Sequence, residues 1–385
     1  MQRELDELGA ADLLRDPAVL ESACGPRVTI GGREVVCLCG NDYLGLAADP
    51  AVKAAAVEAI ERWGVGAGAS RLVSGTMQPH VELEGRLSRF KRTEAAVVTS
   101  TGWQANFAAV SALVGEGDLV LCDKLDHASI LDAARACGAT MRTYAHRDPD
   151  RLLHLLEKKR SRYRRCLIVT DSVFSMDGDL APLDRLVDIK DRFEAQLLID
   201  EAHATGVFGA HGRGLAESMG VEERIDAVVG TLSKALGAMG GFVAGPKVLI
   251  DTICNRGRAF IYTTAPPPAI CAAAARALDI VRDQPQRRER LLAMAADLRR
   301  RLDAAGLNVL DSQSQIIPVV IGPAAEAVEV SRRLLAAGFF VPAIRPPTVP
   351  PMTSRLRVSL CCLHEAADLD RLAALLPQLA GDAAR

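Results

Sequence analysis

Between residues 95 and 245 short apolar runs alternate with helical stretches, and this alternation constrains the fold more than any other feature. The runs are AAVVTS, LVLCD, MRTYAH, CLIVTDSV, QLLIDE, AVVGTLS and GGFVAG. Segments of helical pattern, such as ASILDAARAC and PLDRLVDIKDRF, lie between most of them. Strands covered by helices on both faces read as continuous apolar runs, because neither side meets water. The expected fold class is therefore α/β, with a mostly parallel seven-stranded sheet covered by helices. Ligands gather at the carboxyl ends of strands in such sheets. Ser100, Asp123, Asp171, Asp200 and Thr231 stand near those ends.

The flanking regions read differently. Residues 1–50 hold an acidic helical lead-in and the strand-like REVVCLCG. Residues 51–280 carry the helical patterns AVKAAAVEAIERW and HVELEGRLSRF on either side of the glycine-rich GVGAGASRLVSGT, and then the sheet. The turn signal TTAPPPAI precedes a long Arg/Ala/Leu pattern that predicts one helix up to about Leu302. Residues 281–385 predict a small C-terminal α+β domain, with strand candidates QIIPVVIG and SRLRVSL and helices EAVEVSRRLLAAG and EAADLDRLAALLPQL.

The 46 basic and 48 acidic residues nearly cancel, so no global field invites nucleic acid or anionic lipid. No apolar run reaches membrane-spanning length, and MQRELDELGAADLLRDP carries acids where a secretion signal would be apolar. A cytoplasmic protein without nucleic-acid or membrane partners is expected. The ten cysteines are scattered without a CxxC pair, and neither Cys37-Leu-Cys39 nor Cys361-Cys362 has structural zinc spacing. They predict buried reduced thiols and no metal site.

Two strand ends carry the chemistry. LLIDEAH presents Asp200, Glu201 and His203, and VVGTLSKALG presents Thr231, Ser233 and Lys234. Pyridoxal phosphate requires an amine for its aldehyde, a carboxylate for its ring nitrogen and a donor for its phenolic oxygen. Lys234, Asp200 and His203 offer these in turn. Asp200 alone also fits a helix N-cap or a metal ligand. His127, in DKLDHASI, opens a helix after a strand end and either lies flat on a planar cofactor or is structural. In STGWQANFAA the backbone amides of Gly102 and Trp103 open a helix and can hold a phosphate without a cationic side chain. Neither the P-loop nor the GxGxxG spacing is present there. Arg357 in SRLRVSL either points inward to capture a carboxylate or belongs to a solvated edge face.

These residues sit in motifs spanning nearly the whole chain: NDYLGL, TGWQAN, DHASI, DSVFSMDGDLAPL, DEAHATGVFGAHGRG and TLSKALGAMGG. The set resembles the α-oxoamine synthases, fold-type-I pyridoxal-phosphate transferases. The resemblance implies that Lys234 bonds the cofactor aldehyde, Asp200 holds the pyridine nitrogen, and His127 stacks on the ring beside the substrate. His203 and Ser175 would surround the phenolic oxygen, and Gly102, Trp103 and Thr231 the phosphate. It also implies a homodimer with shared active sites, in which Thr264 is lent to the neighbour's phosphate. Arg357 would grip the amino-acid carboxylate, Arg15 and Thr348 would contact substrate, and Asn41 and Tyr43 would line the site.

AIRPPTVP followed by SRLRVSL, with AADLLR near the start, resembles the branch that condenses L-alanine with a pimeloyl thioester of coenzyme A or acyl carrier protein. Branches using glycine or serine with other acyl thioesters share the central motifs, as do non-catalytic family partners. Trp103, Leu232 and Pro351-Met352 depart from the usual pattern, and each bears on acyl-chain preference.

Overall fold

The computed structural model describes residues 1–383, so the expected C-terminal stretch ends on residues 384–385, outside the described residues. In chain order its strands begin with the hairpin β1 (Arg27–Ile30) and β2 (Arg33–Cys37). Next come β3 (Ala95–Thr99), β4 (Leu119–Asp123), β5 (Thr140–Tyr144) and β6 (Cys166–Asp171). They are followed by β7 (Gln196–Asp200), β8 (Ala227–Thr231) and β9 (Gly241–Gly245). The last four are β10 (Ile316–Gly322), β11 (Phe339–Phe340), β12 (Ala343–Ile344) and β13 (Ser354–Ser359).

The chain forms two compact units. The larger holds residues Asp49–Phe174 and Leu180–Arg288. Its seven-stranded sheet has the order β3-β9-β8-β7-β6-β4-β5, and every strand coincides with one of the seven apolar runs. Only β9 runs against its neighbours β3 and β8; the other pairings are parallel. β4, β6, β8 and β9 are buried along their whole length, as expected of strands sandwiched between helices. Helix Gly102–Leu113 lies over one face, where the small side chains of Ala105, Ala108 and Ala109 let it approach the sheet closely.

The smaller unit joins Met1–Ala48, Ser175–Asp179 and Glu289–Arg385, so the first residues are grouped with the last rather than forming a segment apart. The link is a strand pairing that no local pattern reveals, with Phe339 of β11 parallel to Val36 of β2. A second sheet has the antiparallel order β10-β13-β12. The single helix expected up to Leu302 is two, Pro268–Asp283 and Gln286–Ala304. Pro285 separates them, lacking the N–H that would continue the ladder. All ten cysteines are free thiols. Among the described residues no helix is long and apolar enough to cross a membrane.

Candidate cofactor and substrate sites

In the larger unit the parallel strands deliver their last residues to one rim. Asp171 and Asp200 are direct partners at the ends of β6 and β7, and Asp200 faces Val229 of β8. Asp200 is 5% exposed; its Oδ1 accepts from the Ala202 amide at 2.8 Å and its Oδ2 from Asn106 Nδ2 at 2.8 Å. His203 is buried in the turn that follows. Lys234 sits half-buried in the turn from β8 to β9, which closes with the Gly237 amide donating to the Lys234 carbonyl at 2.8 Å.

His127 caps helix Ala128–Ala136, and its backbone N–H donates to Asp171 Oδ2 at 2.7 Å. Its ring keeps an exposed side, with the Trp103 ring at 78° to it and 6.0 Å between centroids. Burial of the rest lowers the imidazole pKa; the charge of Asp200 opposes this and that of Lys234 adds to it. Asp171 is pushed well up, first by burial and then by the Asp200 charge beside it.

The helix that starts at Gly102 is capped by the Thr101 side chain, which accepts from the Gln104 amide at 3.2 Å. The amides of Gly102 and Trp103 precede the intrahelical ladder and project past the helix end. Thr231 lies against this end, its Oγ1 3.5 Å from where a Cβ on Gly102 would be. Thr231 Oγ1 is 2.7 Å from Ser233 Oγ and donates to the Gly240 carbonyl at 2.8 Å. Helix-end amides beside paired hydroxyls fit a phosphate. The donor set as a whole (amine, carboxylate, imidazole and phosphate cradle) fits pyridoxal phosphate. Thr264 is held in its own chain, its carbonyl accepting from Ser100 Oγ at 3.0 Å.

Gly241 lets β9 pass under the cradle. A Cβ there would lie 2.6 Å from both Gly102 Cα and the Thr101 carbonyl oxygen, so backbone must move. Gly241→Ala is expected to cost about 1–3 kcal/mol of stability and to weaken cofactor retention. Thermal unfolding and cofactor titration measure the two effects.

The smaller unit gathers another group of the expected residues. Arg357 on β13 is 7% exposed and donates to the Ser175 carbonyl at 2.5 Å and to Asn41 Oδ1 at 3.2 Å. Tyr43, fully buried, donates to the same Asn41 oxygen at 3.2 Å, and burial pushes its hydroxyl pKa up against the pull of Arg357. Of the two alternatives for SRLRVSL, the buried one holds for both arginines. Arg355 is also buried and pairs with Asp177. Among the described residues Arg357 has only neutral hydrogen-bond partners, which leaves its positive charge for an anionic ligand. Arg15 and Thr348 meet separately at the surface, Nη2 donating to Oγ1 at 3.3 Å.

Sequence reasoning assigned no role to Asn106, Ser129 or Arg355. Asn106 lies within the quoted TGWQAN motif, but a polar residue inside an apolar helix carries no local sign of its partner.

Comparison with known proteins identifies the family. The family model "Aminotransferase class I and II" matches residues 33–376. The chain is 48% identical over 370 residues to an 8-amino-7-oxononanoate synthase of Geotalea daltonii, covering 96% of this chain and 94% of that one. A solved serine palmitoyltransferase of Sphingomonas wittichii is 34% identical with a TM-score of 0.93, covering 100% of this chain and 96% of that one. A structure of SPT with its PLP internal aldimine is 33% identical with a TM-score of 0.92, covering 100% and 97%.

Proposed function

The chain belongs to the class I and II aminotransferase family, and from that premise we propose that it condenses L-alanine with a pimeloyl thioester to make 8-amino-7-oxononanoate for biotin synthesis. The observation that carries this reading is the placement of Asp200 and Lys234 at the ends of adjacent strands β7 and β8. It occurs in a chain whose near full-length relatives bear that enzyme's name. The cofactor is pyridoxal phosphate, which when bound draws off the electron pair left at the substrate Cα as its proton departs.

The residues divide the remaining work. Lys234 Nζ would hold the cofactor's aldehyde and, as a free amine, would take the Cα proton. Asp200 holds the ring nitrogen's proton, fixed in place by Asn106 and the Ala202 amide. His127 stacks on the ring, while His203 and Ser175 hold the phenolic oxygen. Gly102, Trp103 and Thr231 hold the phosphate, with Thr264 lent across a homodimer. Arg357 grips the alanine carboxylate and Asn41 orients the guanidinium. Arg15 and Thr348 contact substrate. The Cα–acyl bond forms as the carbon–sulfur bond breaks and the thiolate leaves on coenzyme A or carrier protein. The Cα–carboxylate bond then breaks, carbon dioxide departs, and Lys234 returns a proton to Cα.

The similarity to serine palmitoyltransferase favours a second reading, in which serine or glycine meets a different acyl thioester. A matrix of alanine, glycine and serine against pimeloyl-CoA, pimeloyl carrier protein and palmitoyl-CoA separates them, with thiol and carbon dioxide release measured together. Release confined to alanine with a pimeloyl donor is expected; release only with serine or glycine overturns the first reading.

Arg357→Lys is expected to raise the KM for alanine roughly 10–100-fold, because one ammonium cannot replace a bidentate fork. Steady-state kinetics at varied alanine measure it. An unchanged KM would remove Arg357 from the carboxylate site.

A further inference from the structure

Asn106 donates two hydrogen bonds from one amide nitrogen. Nδ2 lies 2.8 Å from Asp200 Oδ2 and 2.8 Å from Ser129 Oγ; Asn106 and Ser129 are each 1% exposed. A carboxylate oxygen accepts, so the amide presents its nitrogen to Asp200. Reversing the amide would set its oxygen against Asp200, and in the observed orientation Asn106 Oδ1 stays buried without a hydrogen-bond partner.

One amide hydrogen goes to Asp200 and the other to Ser129 Oγ. The Ser129 hydroxyl then turns its own hydrogen to its other neighbour, His127 Nδ1, at 2.8 Å. The Ser129 backbone N–H points at the same nitrogen at 3.3 Å, and a backbone N–H can only donate. Two donors converge on Nδ1, so that nitrogen carries the lone pair. We propose that Asn106 is a positioning residue that, through Ser129, holds His127 as the neutral Nε2–H tautomer and ties it to the Asp200 carboxylate.

The other groups around the ring leave this arrangement intact. From β6, Asp171 accepts the His127 backbone N–H, and Asp126 Oδ1 accepts the Asp171 amide at 2.9 Å. Asp200 and Lys234 act on the ring as opposing charges from β7 and from the turn after β8. Trp103 places a neutral ring beside it from the helix that also carries Asn106. Protonating Nδ1 would face one N–H with another and force the Ser129 hydroxyl to rotate. The lock therefore acts in the same direction as burial and leaves Nε2–H as the hydrogen the ring offers to a substrate oxygen.

The proposal rests on the larger-unit site being the cofactor site, but its test needs no cofactor. Long-range ¹H–¹⁵N spectra of the cofactor-free protein, labelled on its seven histidines, identify His127 by comparison with His127→Gln. Nδ1 is expected to resonate as the unprotonated nitrogen. Asn106→Ala and Ser129→Ala should each mix the tautomers and raise the His127 titration midpoint by about one pH unit, a tenfold change. Ser129→Thr, which keeps the hydroxyl, should restore both. A proton on Nδ1 in the unaltered protein, or a midpoint that moves in Asn106→Ala but not in Ser129→Ala, overturns the proposal. Failure of the same protein to bind pyridoxal phosphate, with the tautomer as expected, would overturn the cofactor reading instead.

Discussion

Lys234→Ala is expected to lower turnover by at least about 10⁴-fold, because under the proposed function one substitution removes both the amine that would anchor the cofactor and the base that would take the Cα proton. The visible absorbance of the anchored cofactor should disappear. Borohydride reduction followed by mass spectrometry of the denatured chain should find no covalent adduct. The cradle at Gly102, Thr231 and Ser233 is untouched, so the variant should still bind the cofactor reversibly. A variant with turnover within tenfold of the unaltered protein would remove Lys234 from the mechanism.

Lys91→Ala is expected to be the largest single loss of stability, about 3–5 kcal/mol. Lys91 is 6% and Glu201 1% exposed, and Lys91 Nζ donates to Glu201 Oε2 at 2.7 Å and to Thr205 Oγ1 at 2.9 Å. It also donates to the Arg213 carbonyl, and Glu201 Oε1 accepts from the Ala216 amide at 3.0 Å. Truncating the lysine leaves a buried carboxylate without its counter-charge, which costs far more than the pair contributes over apolar residues. Lys91→Met combined with Glu201→Leu should therefore recover part of the loss. Chemical denaturation followed by circular dichroism measures both, and an unchanged midpoint in Lys91→Ala would contradict the argument. Because Glu201 follows Asp200 in the chain, the single variant should also weaken cofactor retention.

The sheet was legible because burial on two faces leaves a local signature. A strand such as LVLCD must be apolar throughout, whatever its neighbours are. The direction of β9 was not legible, since GGFVAG is equally apolar read either way. Pro285 broke a helix whose Arg/Ala/Leu pattern predicts continuity, because propensity summed over many residues hides one missing N–H. The grouping of residues 1–48 with 289–385 depends on β2 meeting β11, a pairing across some three hundred residues.

The candidate site divides in the same way. Asp200, His203 and Lys234 stand out in sequence because polar groups that end buried runs are costly unless used. The roles of Ser175, Thr264, Arg15 and Thr348 came from motif resemblance. Sequence by itself determined the seven strands, the rim where polar residues collect and the chemical types assembled there, because those follow from burial and local spacing. Only the tertiary structure decided that Arg355 is paired while Arg357 has neutral partners, and that Asn106 reaches Ser129 and Asp200 across 23 and 94 residues. Hydrogen bonds join atoms through space, and their partners leave no periodicity in the chain.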